Sequence, residues 1–380
     1  MVNDRKVILF VVNSISFFLS HRLEIALASK NCGFDVHVAA PYDEDNCKLL
    51  YNLGFSFHTV SFSRYGLSPF NECISVFSLV RLFLKLKPDL VHLITIKPYL
   101  YGGIAARVTG VKCVVSAVAG LGIVFSSSEY KYRLLRSLLF YFFKFSFGHP
   151  NQVVIFQNSH DRDLLLNLGV ISQDKVRMIR GSGVDLSKYK FSPDPVGTPI
   201  VTFASRLLKD KGVEVFVESS RILTKRGVDV KFWLIGEPDS GSSNSVSYDQ
   251  LDEWRSERLI EVFGFRSDVP ELFSKSSIIV FPSYYGEGLP KVLIEAAACG
   301  RPVVTTNHPG CIDAIIPNET GFLIPIKDPV ALADMIQRLI EFPLLRIKMG
   351  AAGRALAESS FSIDLIVKMH MDIYQDILEL

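Results

Sequence analysis

The stretch Ile278-Ile279-Val280-Phe281-Pro282-Ser283-Tyr284-Tyr285-Gly286-Glu287-Gly288-Leu289-Pro290-Lys291-Val292-Leu293-Ile294-Glu295 decides the fold. Its first four residues are apolar without alternation, as in a strand of a parallel sheet covered on both faces. A helical pattern follows and ends at Cys299-Gly300. Pro290 fits the first turn of that helix, where its missing N–H costs nothing. Glu287 then lies on the loop and Glu295 inside the helix, eight positions on. The helix start offers unpaired N–H groups and the positive end of a dipole, and both favour an anion. A second carboxylate in the same place only accepts hydrogen bonds, which suits sugar hydroxyls better than phosphate.

Strands alternate with helices on either side of this element. In the first half, apolar runs at 7–12, 35–39, 90–94, 113–117 and 153–157 are separated by helical patterns such as 22–30 and 76–86. The pattern breaks at 191–199, which holds Pro193, Pro195, Gly197 and Pro199 and reads as a linker. It then restarts, with strands at 200–204, 230–235, 259–263, 278–281 and 303–305, and helices at 212–225, 290–299 and 329–339. The polar loop 239–247 reads as mobile. The predicted fold class is α/β: two Rossmann-like, doubly wound parallel-sheet domains facing a cleft, with ligands at the carboxyl ends of the strands. The predicted divisions are an N-terminal domain over 1–190, the linker 191–199, a C-terminal domain over 200–361, and a helix over 362–380 that packs back on the first domain.

A chain of 380 residues exceeds one ordinary core, in agreement with two domains. The net charge of +2 hides an asymmetry. Residues 1–190 hold 22 Lys and Arg against 13 Asp and Glu; the remainder holds 19 against 26. A basic first half and an acidic second half suit a chain whose first half meets an anionic surface. The six cysteines form no C-x-x-C and read as reduced thiols. Mean hydropathy is +0.27, yet no stretch reaches the length of a membrane span. The apolar run after Arg5-Lys6 is too short for a signal peptide and reads as a first strand.

A second functional cluster, Ala204-Ser205-Arg206-Leu207-Leu208-Lys209-Asp210-Lys211-Gly212, follows the first strand of the second half. A forked guanidinium and a point-charge ammonium at one strand end suit a diphosphate. With the element around Glu287, and with Gly264-Phe265-Arg266-Ser267-Asp268 and Ala296-Ala297-Ala298-Cys299-Gly300-Arg301-Pro302, this cluster resembles family 4 of the GT-B glycosyltransferases. The resemblance implies that Arg206 and Lys211 bind the donor diphosphate, that Glu287 contacts the donor sugar and that Glu295 accepts from the ribose hydroxyls. Gly236, Phe265, Arg266, Gly288 and Leu289 complete the implied donor set. Arg206, Lys211 and Glu287 are the implied catalytic group.

In the first half, Asn13-Ser14-Ile15-Ser16-Phe17-Phe18-Leu19-Ser20-His21-Arg22, Arg64-Tyr65-Gly66-Leu67-Ser68-Pro69 and Gly120-Leu121-Gly122 resemble enzymes that extend undecaprenyl-diphosphate-linked glycans. N-acetylgalactosaminyltransferases of bacterial O-antigen and N-glycan assembly look most similar. That resemblance implies retaining transfer from a UDP-sugar, GalNAc in α-1,3 linkage, to a lipid-diphosphate-linked saccharide. It places the protein as a peripheral enzyme at the cytoplasmic face of the inner membrane. Ser16, His21, Gly120 and Gly122 are the acceptor-side candidates. The first loop lacks the Gly-Gly pair of many relatives, and Ala119-Gly120-Leu121-Gly122 stands where many carry a histidine.

Other features have plainer readings. Asp43-Glu44-Asp45 and Asp161-Arg162-Asp163 match a loose D-x-D metal pattern. Each suits a loop or a helix start, so no metal or other cofactor is expected. His21 is either an acceptor-side base or a packed, capping residue. His92, with Lys97 nearby, is read with the same two options, and His308 as structural. Residues 130–147 form an apolar helical pattern punctuated by Lys131, Arg133, Arg136 and Lys144. They are read as an interfacial helix on an anionic leaflet, extended by Arg81, Lys85 and Lys87. No nucleic-acid recognition motif accompanies the basic charge. A sugar-nucleotide epimerase, a transferase of another UDP-hexose and a non-catalytic binding module are the alternatives.

Overall fold

A computed structural model describes residues 5–62, 69–121, 140–239 and 241–379. The chain divides into two compact units: residues 1–182 with 364–380, and residues 183–363. Lys131, Arg133, Arg136, Gly122 and most of 130–147 lie outside the described residues.

Unit 1 is built on strands β1 (Val7–Val11), β2 (Asp35–Ala40), β3 (Ser56–Thr59), β4 (Leu90–Ile94), β5 (Cys113–Val118), β6 (Gln152–Phe156) and β7 (Val176–Met178). Their order is β3-β2-β1-β4-β5-β6-β7, with every pairing parallel. The central strands are buried along their length, which their unbroken apolar runs dictate. Helices α1 (Ile15–His21), α2 (Leu23–Asn31), α3 (Glu44–Asn52), α4 (Pro69–Leu86), α5 (Gly103–Thr109) and α6 (Ser159–Asn167) connect them. Helix starts are fixed locally: Asp43 accepts from Asn46 N at 3.2 Å, and Asn158 accepts from Asp161 N at 2.7 Å.

Unit 2 repeats the plan with β8 (Ile200–Ala204), β9 (Lys231–Ile235), β10 (Ile260–Gly264), β11 (Ile278–Phe281), β12 (Val303–Thr306) and β13 (Gly321–Ile324). The order is β10-β9-β8-β11-β12-β13, again parallel. Its helices are α7 (Val213–Lys225), α8 (Tyr248–Ser256), α9 (Val269–Lys275), α10 (Lys291–Ala298), α11 (Pro329–Glu341) and α12 (Pro343–Leu356). A last helix, α13 (Ile363–Glu379), puts Ile366, Met371, Ile373, Tyr374 and Ile377 into the core formed by β1, β2 and β4 of unit 1.

The division falls at Ser182/Gly183, before the proline-rich segment. Residues 191–199 belong to unit 2 and are anchored there. Asp194 takes Arg346 Nε at 3.0 Å, and Arg301 donates to Ser192 O at 2.7 Å and Pro193 O at 2.9 Å. Prolines that break periodicity also suit a strap with fixed φ, and this segment is one.

Both sheets reverse direction of growth at their first strand. In unit 2 the chain builds β8, β9 and β10 on one side and then crosses to β11 on the other. The carboxyl ends of β8 and β11 therefore flank the switch point, where open α/β sheets hold their ligands. The equivalent pair in unit 1 is β1 and β4.

Candidate active site

The loop after β8 carries Arg206, Asp210 and Lys211, and the loop after β11 carries Ser283 and Glu287. Two backbone contacts lock the loops together. Asp210 O accepts from Tyr284 N at 2.9 Å and from Ser283 Oγ at 3.2 Å. Gly212, at φ +82°, lies so close to Pro282 O that a Cβ there would sit 2.1 Å from it. This contact brings Lys211 Nζ into a bond with Glu287 Oε1. Ser283 Oγ also stands 3.2 Å from the same Glu287 oxygen, so its single proton serves either this carboxylate or Asp210 O. The Lys211 ammonium also stands 4.8 Å from the Tyr285 ring centre and 5.8 Å from that of Phe281.

Asp210 was not singled out by the sequence, since nothing in local charge or periodicity marks it as buried. Its Oδ1 is buried without a hydrogen-bond partner. Burial pushes its carboxyl above the ordinary value, against the opposing pull of Lys211. Behind Glu287, Gly310 at φ +82° packs on the Glu287 and Gly288 carbonyls, and a Cβ would meet each oxygen at 2.7 Å. Thr306 Oγ1 donates to Ser283 O. Cys311, in the same layer, is a buried thiol pushed up to about 12 by burial, which makes it inert.

Arg206 pairs with Asp239 Oδ2 at 2.6 Å. Each cation has a carboxylate partner of its own, and both act on the Asp210 carboxyl between them in the chain. Gly236, after β9, has φ +134°, and a Cβ there would lie 1.8 Å from Ser205 O. The glycine is required by the packing of two strand ends against each other. Beyond β10, Phe265 is exposed and its N–H reaches Glu237 Oε1 at 3.4 Å. Arg266 is held by Asp268, with Nε to Oδ1 at 2.7 Å.

Pro290 caps α10 from one position outside, with ψ 122°, instead of occupying the first turn as read from the sequence. No side chain caps that helix start. Leu289 is buried beside it. Glu295, one turn in, is nearly buried and lies 3.6 Å from Lys291 Nζ. Burial raises its carboxyl, with Lys291 and a hydrogen bond from Tyr189 opposing. Tyr189 comes from 183–190, a segment that carries none of the motifs marking the site.

In unit 1, Ser16 is exposed on α1 and accepts from Asn46 Nδ2 at 3.3 Å. His21 ends α1 instead of opening a helix; it stacks on Phe17 at 4.1 Å and meets Ser20 Oγ at 2.7 Å. Gly120 follows β5 with φ +100°. His92 lies in the middle of β4, fully buried, and bonds the Tyr374 hydroxyl through Nδ1. Of the two readings, the packed one describes it: His92 is a core histidine under α13. The D-x-D residues are capping or ion-paired: Asp43 and Asp161 act at helix starts, and Asp163 takes Arg162 Nε at 2.7 Å. Among the described residues no cluster of three His, Cys, Asp or Glu is arranged to hold a metal ion.

Known proteins match this arrangement along the whole chain. Residues 187–356 match the family model "Glycosyl transferases group 1", and residues 7–158 match "Glycosyl transferase 4-like". The N,N'-diacetylbacillosaminyl-diphospho-undecaprenol alpha-1,3-N-acetylgalactosaminyltransferase of Campylobacter jejuni is 29% identical, over 95% of this chain and 98% of its own. The UDP-Gal:alpha-D-GlcNAc-diphosphoundecaprenol alpha-1,3-galactosyltransferase of Escherichia coli is 26% identical over 82% of each chain. Among solved structures, the Anabaena protein HepE in complex with UDP-glucose superposes with a TM-score of 0.77 at 20% identity, covering 98% of this chain and all of its own. A glycosyltransferase from Rickettsia africae gives the same TM-score at 21% identity, over 99% of each chain. The chain belongs to the group 1 glycosyltransferases, with that family's domain in unit 2, a glycosyltransferase 4-like domain in unit 1, and the GT-B fold.

Proposed function

We propose that this protein moves a sugar, GalNAc in α-1,3 linkage, from a UDP-sugar to an undecaprenyl-diphosphate-linked saccharide in bacterial surface-polysaccharide assembly, with retention at the anomeric carbon and without a metal. The observation that carries the reading is the Lys211–Glu287 pair at the switch point of unit 2, beside the start of α10 that no side chain caps. The activities of the Campylobacter and Escherichia relatives support the class of acceptor.

In this mechanism Lys211, Arg206 and the first N–H groups of α10 stabilise charge on the departing UDP, in place of a metal. Glu287 holds the donor sugar, Glu295 the ribose, and the backbone around Phe265 and Arg266 the base. The bond from the anomeric carbon to the UDP oxygen breaks, and a bond to the acceptor oxygen forms on the same face. The acceptor proton passes to the leaving phosphate oxygen, so no separate general base is needed.

Membrane contact completes the proposal. α4 exposes Phe70, Ile74, Phe77 and Leu84 along one face, with Arg81 and Lys85 among them. The helical residues 140–146 expose Tyr141, Phe142 and Phe145 beside Lys144. Apolar residues with basic neighbours suit an anionic leaflet. Among the described residues no helix is long and apolar enough to cross a membrane.

Incubation with a panel of UDP-sugars and short-tailed sugar-diphospho-polyprenols, read by mass spectrometry, tests the reading. UDP-GalNAc is expected to extend the acceptor best. Interconversion of UDP-sugars without acceptor extension would replace the reading with an epimerase.

A further inference from the structure

Residues 239–247 are a polar run of Ser, Gly and Asn without periodicity, which from sequence reads as mobile. Among its described residues the structure shows an anchored strap instead. Val246 N donates to Leu207 O at 2.9 Å, and Lys209 N donates to Asn244 O at 2.9 Å. The strap thus pairs backbone to backbone with 207–209 of the loop that carries Arg206 and Lys211 after β8. Its far end is fixed as well. Ser247 Oγ accepts from Gln250 N at 3.1 Å at the start of α8, and Leu251 and Trp254 of that helix are buried in the unit 2 core.

The strap holds one carboxylate in place. Asp239 N donates to Ser245 Oγ at 2.8 Å, and Asp239 Oδ1 accepts from Gly241 N at 3.3 Å. Its side chain is 12% exposed, against 55% for Arg206, whose Nη1 reaches Asp239 Oδ2 at 2.6 Å. An ion pair between two free side chains is worth little, because both must be ordered to form it. Here the carboxylate is ordered beforehand by its own loop, so the arginine alone loses freedom. Among the described residues the guanidinium bonds Asp239 alone, through Nη1. Nη2 and Nε keep their donors, in the planar fork that fits a phosphate.

We infer that Asp239 is a positioning residue for Arg206: it sets the guanidinium at the carboxyl end of β8 and leaves Nη2 and Nε to bond the diphosphate of the donor. The inference rests on the donor role of Arg206 proposed above. Asp239 acts through the arginine, since a carboxylate only accepts hydrogen bonds and repels an anion. That opposition of signs makes the role measurable. A carboxylate that merely stood near the site would weaken UDP binding, and its removal would tighten it. One that holds Arg206 in place strengthens UDP binding, and its removal weakens it.

The test is UDP binding by calorimetry to the full chain as wild type, Asp239→Asn, Arg206→Ala and the double variant, with thermal midpoints beside it and sugar transfer followed in the wild type. Asp239→Asn keeps the shape of the side chain and removes its charge. It is expected to weaken UDP about tenfold in the wild-type background and to cause no loss in the Arg206→Ala background. A strap merely loosened by the asparagine would cost the same with or without the arginine. UDP binding by Asp239→Asn as tight as wild type or tighter, or equal losses in the two backgrounds, would overturn the inference. If Arg206→Ala binds UDP as tightly as wild type, the inference falls together with the donor role of Arg206. The expected cycle in a chain that transfers no sugar would leave the pair standing and remove the transferase reading.

Discussion

Lys211 reaches across from the end of β8 to bond Glu287 at the end of β11, and the two side chains are only 12% and 13% exposed. A pair this enclosed is costly to break from one side, because the remaining charge has no water to turn to. Lys211→Ala is therefore expected to lower stability by about 3 kcal/mol or more and to reduce transfer by roughly 10² to 10³. The double variant Lys211→Met/Glu287→Leu separates the two effects. Its thermal midpoint should recover towards wild type while transfer stays lost.

Asp210 makes the opposite prediction. Its carboxyl is harder to ionise in the folded chain than in the unfolded one, because of burial. The folded state therefore binds more protons, and stability falls as pH rises from the ordinary value of 3.8 through the raised one. Asp210→Asn removes that cost. Its thermal midpoint should exceed wild type near pH 7, with the difference closing below the ordinary aspartate value. An unchanged midpoint at pH 7 would show that the carboxylate is solvated after all.

Where α13 packs on β4, two buried histidines, His370 on the helix and His92 on the strand, bring a separate pH dependence. Burial lowers His370 from 6.5 to about 3, with Arg22 adding to it, and holds His92 well below 6.5. An unfolded histidine protonates near 6.5 while the folded one does not, so stability is full above that value and is lost as pH falls towards the folded values. Each group costs about 1.4 kcal/mol per pH unit within that window. Urea midpoints at pH 7.5 and 5.5 should fall accordingly. His370→Gln should flatten the fall by one group's share.

Gly310 tests the support of the donor loop. A Cβ there meets the Glu287 and Gly288 carbonyls at 2.7 Å, and the residue sits at φ +82°. Gly310→Ala should displace Glu287 and lower kcat by about tenfold or more, with the circular dichroism of the fold retained. Wild-type kcat in this variant would show that the loop yields without consequence.

Much of this was legible before any coordinates. Continuous apolar runs announced the central parallel strands, and the spacing around Glu287 announced the strand, loop and α10. The short edge strands were missed: β3 (Ser56–Thr59) is only half-buried and β7 (Val176–Met178) has three residues, too few for a pattern. α4 begins at Pro69, ahead of the periodic stretch, and Glu72 in its first turn is held by Lys97 from beyond β4. Burial of Asp210 and the bond from Tyr189 to Glu295 both arise from contacts distant in sequence. No local pattern carries them. Segment 191–199 shows the reverse error, since prolines signal a break in periodicity equally for a free linker and a packed strap.

In the proposed function, the site around Lys211 and Glu287 transfers a sugar from a UDP-sugar without a metal. Mass spectrometry of a short-tailed GlcNAc-diphospho-polyprenol after incubation with UDP-GalNAc in the presence of EDTA tests it most directly. The expected result is addition of one N-acetylhexosamine by the wild-type chain and almost none by Lys211→Ala. Equal extension by the two proteins, or extension that requires added divalent metal, would contradict it.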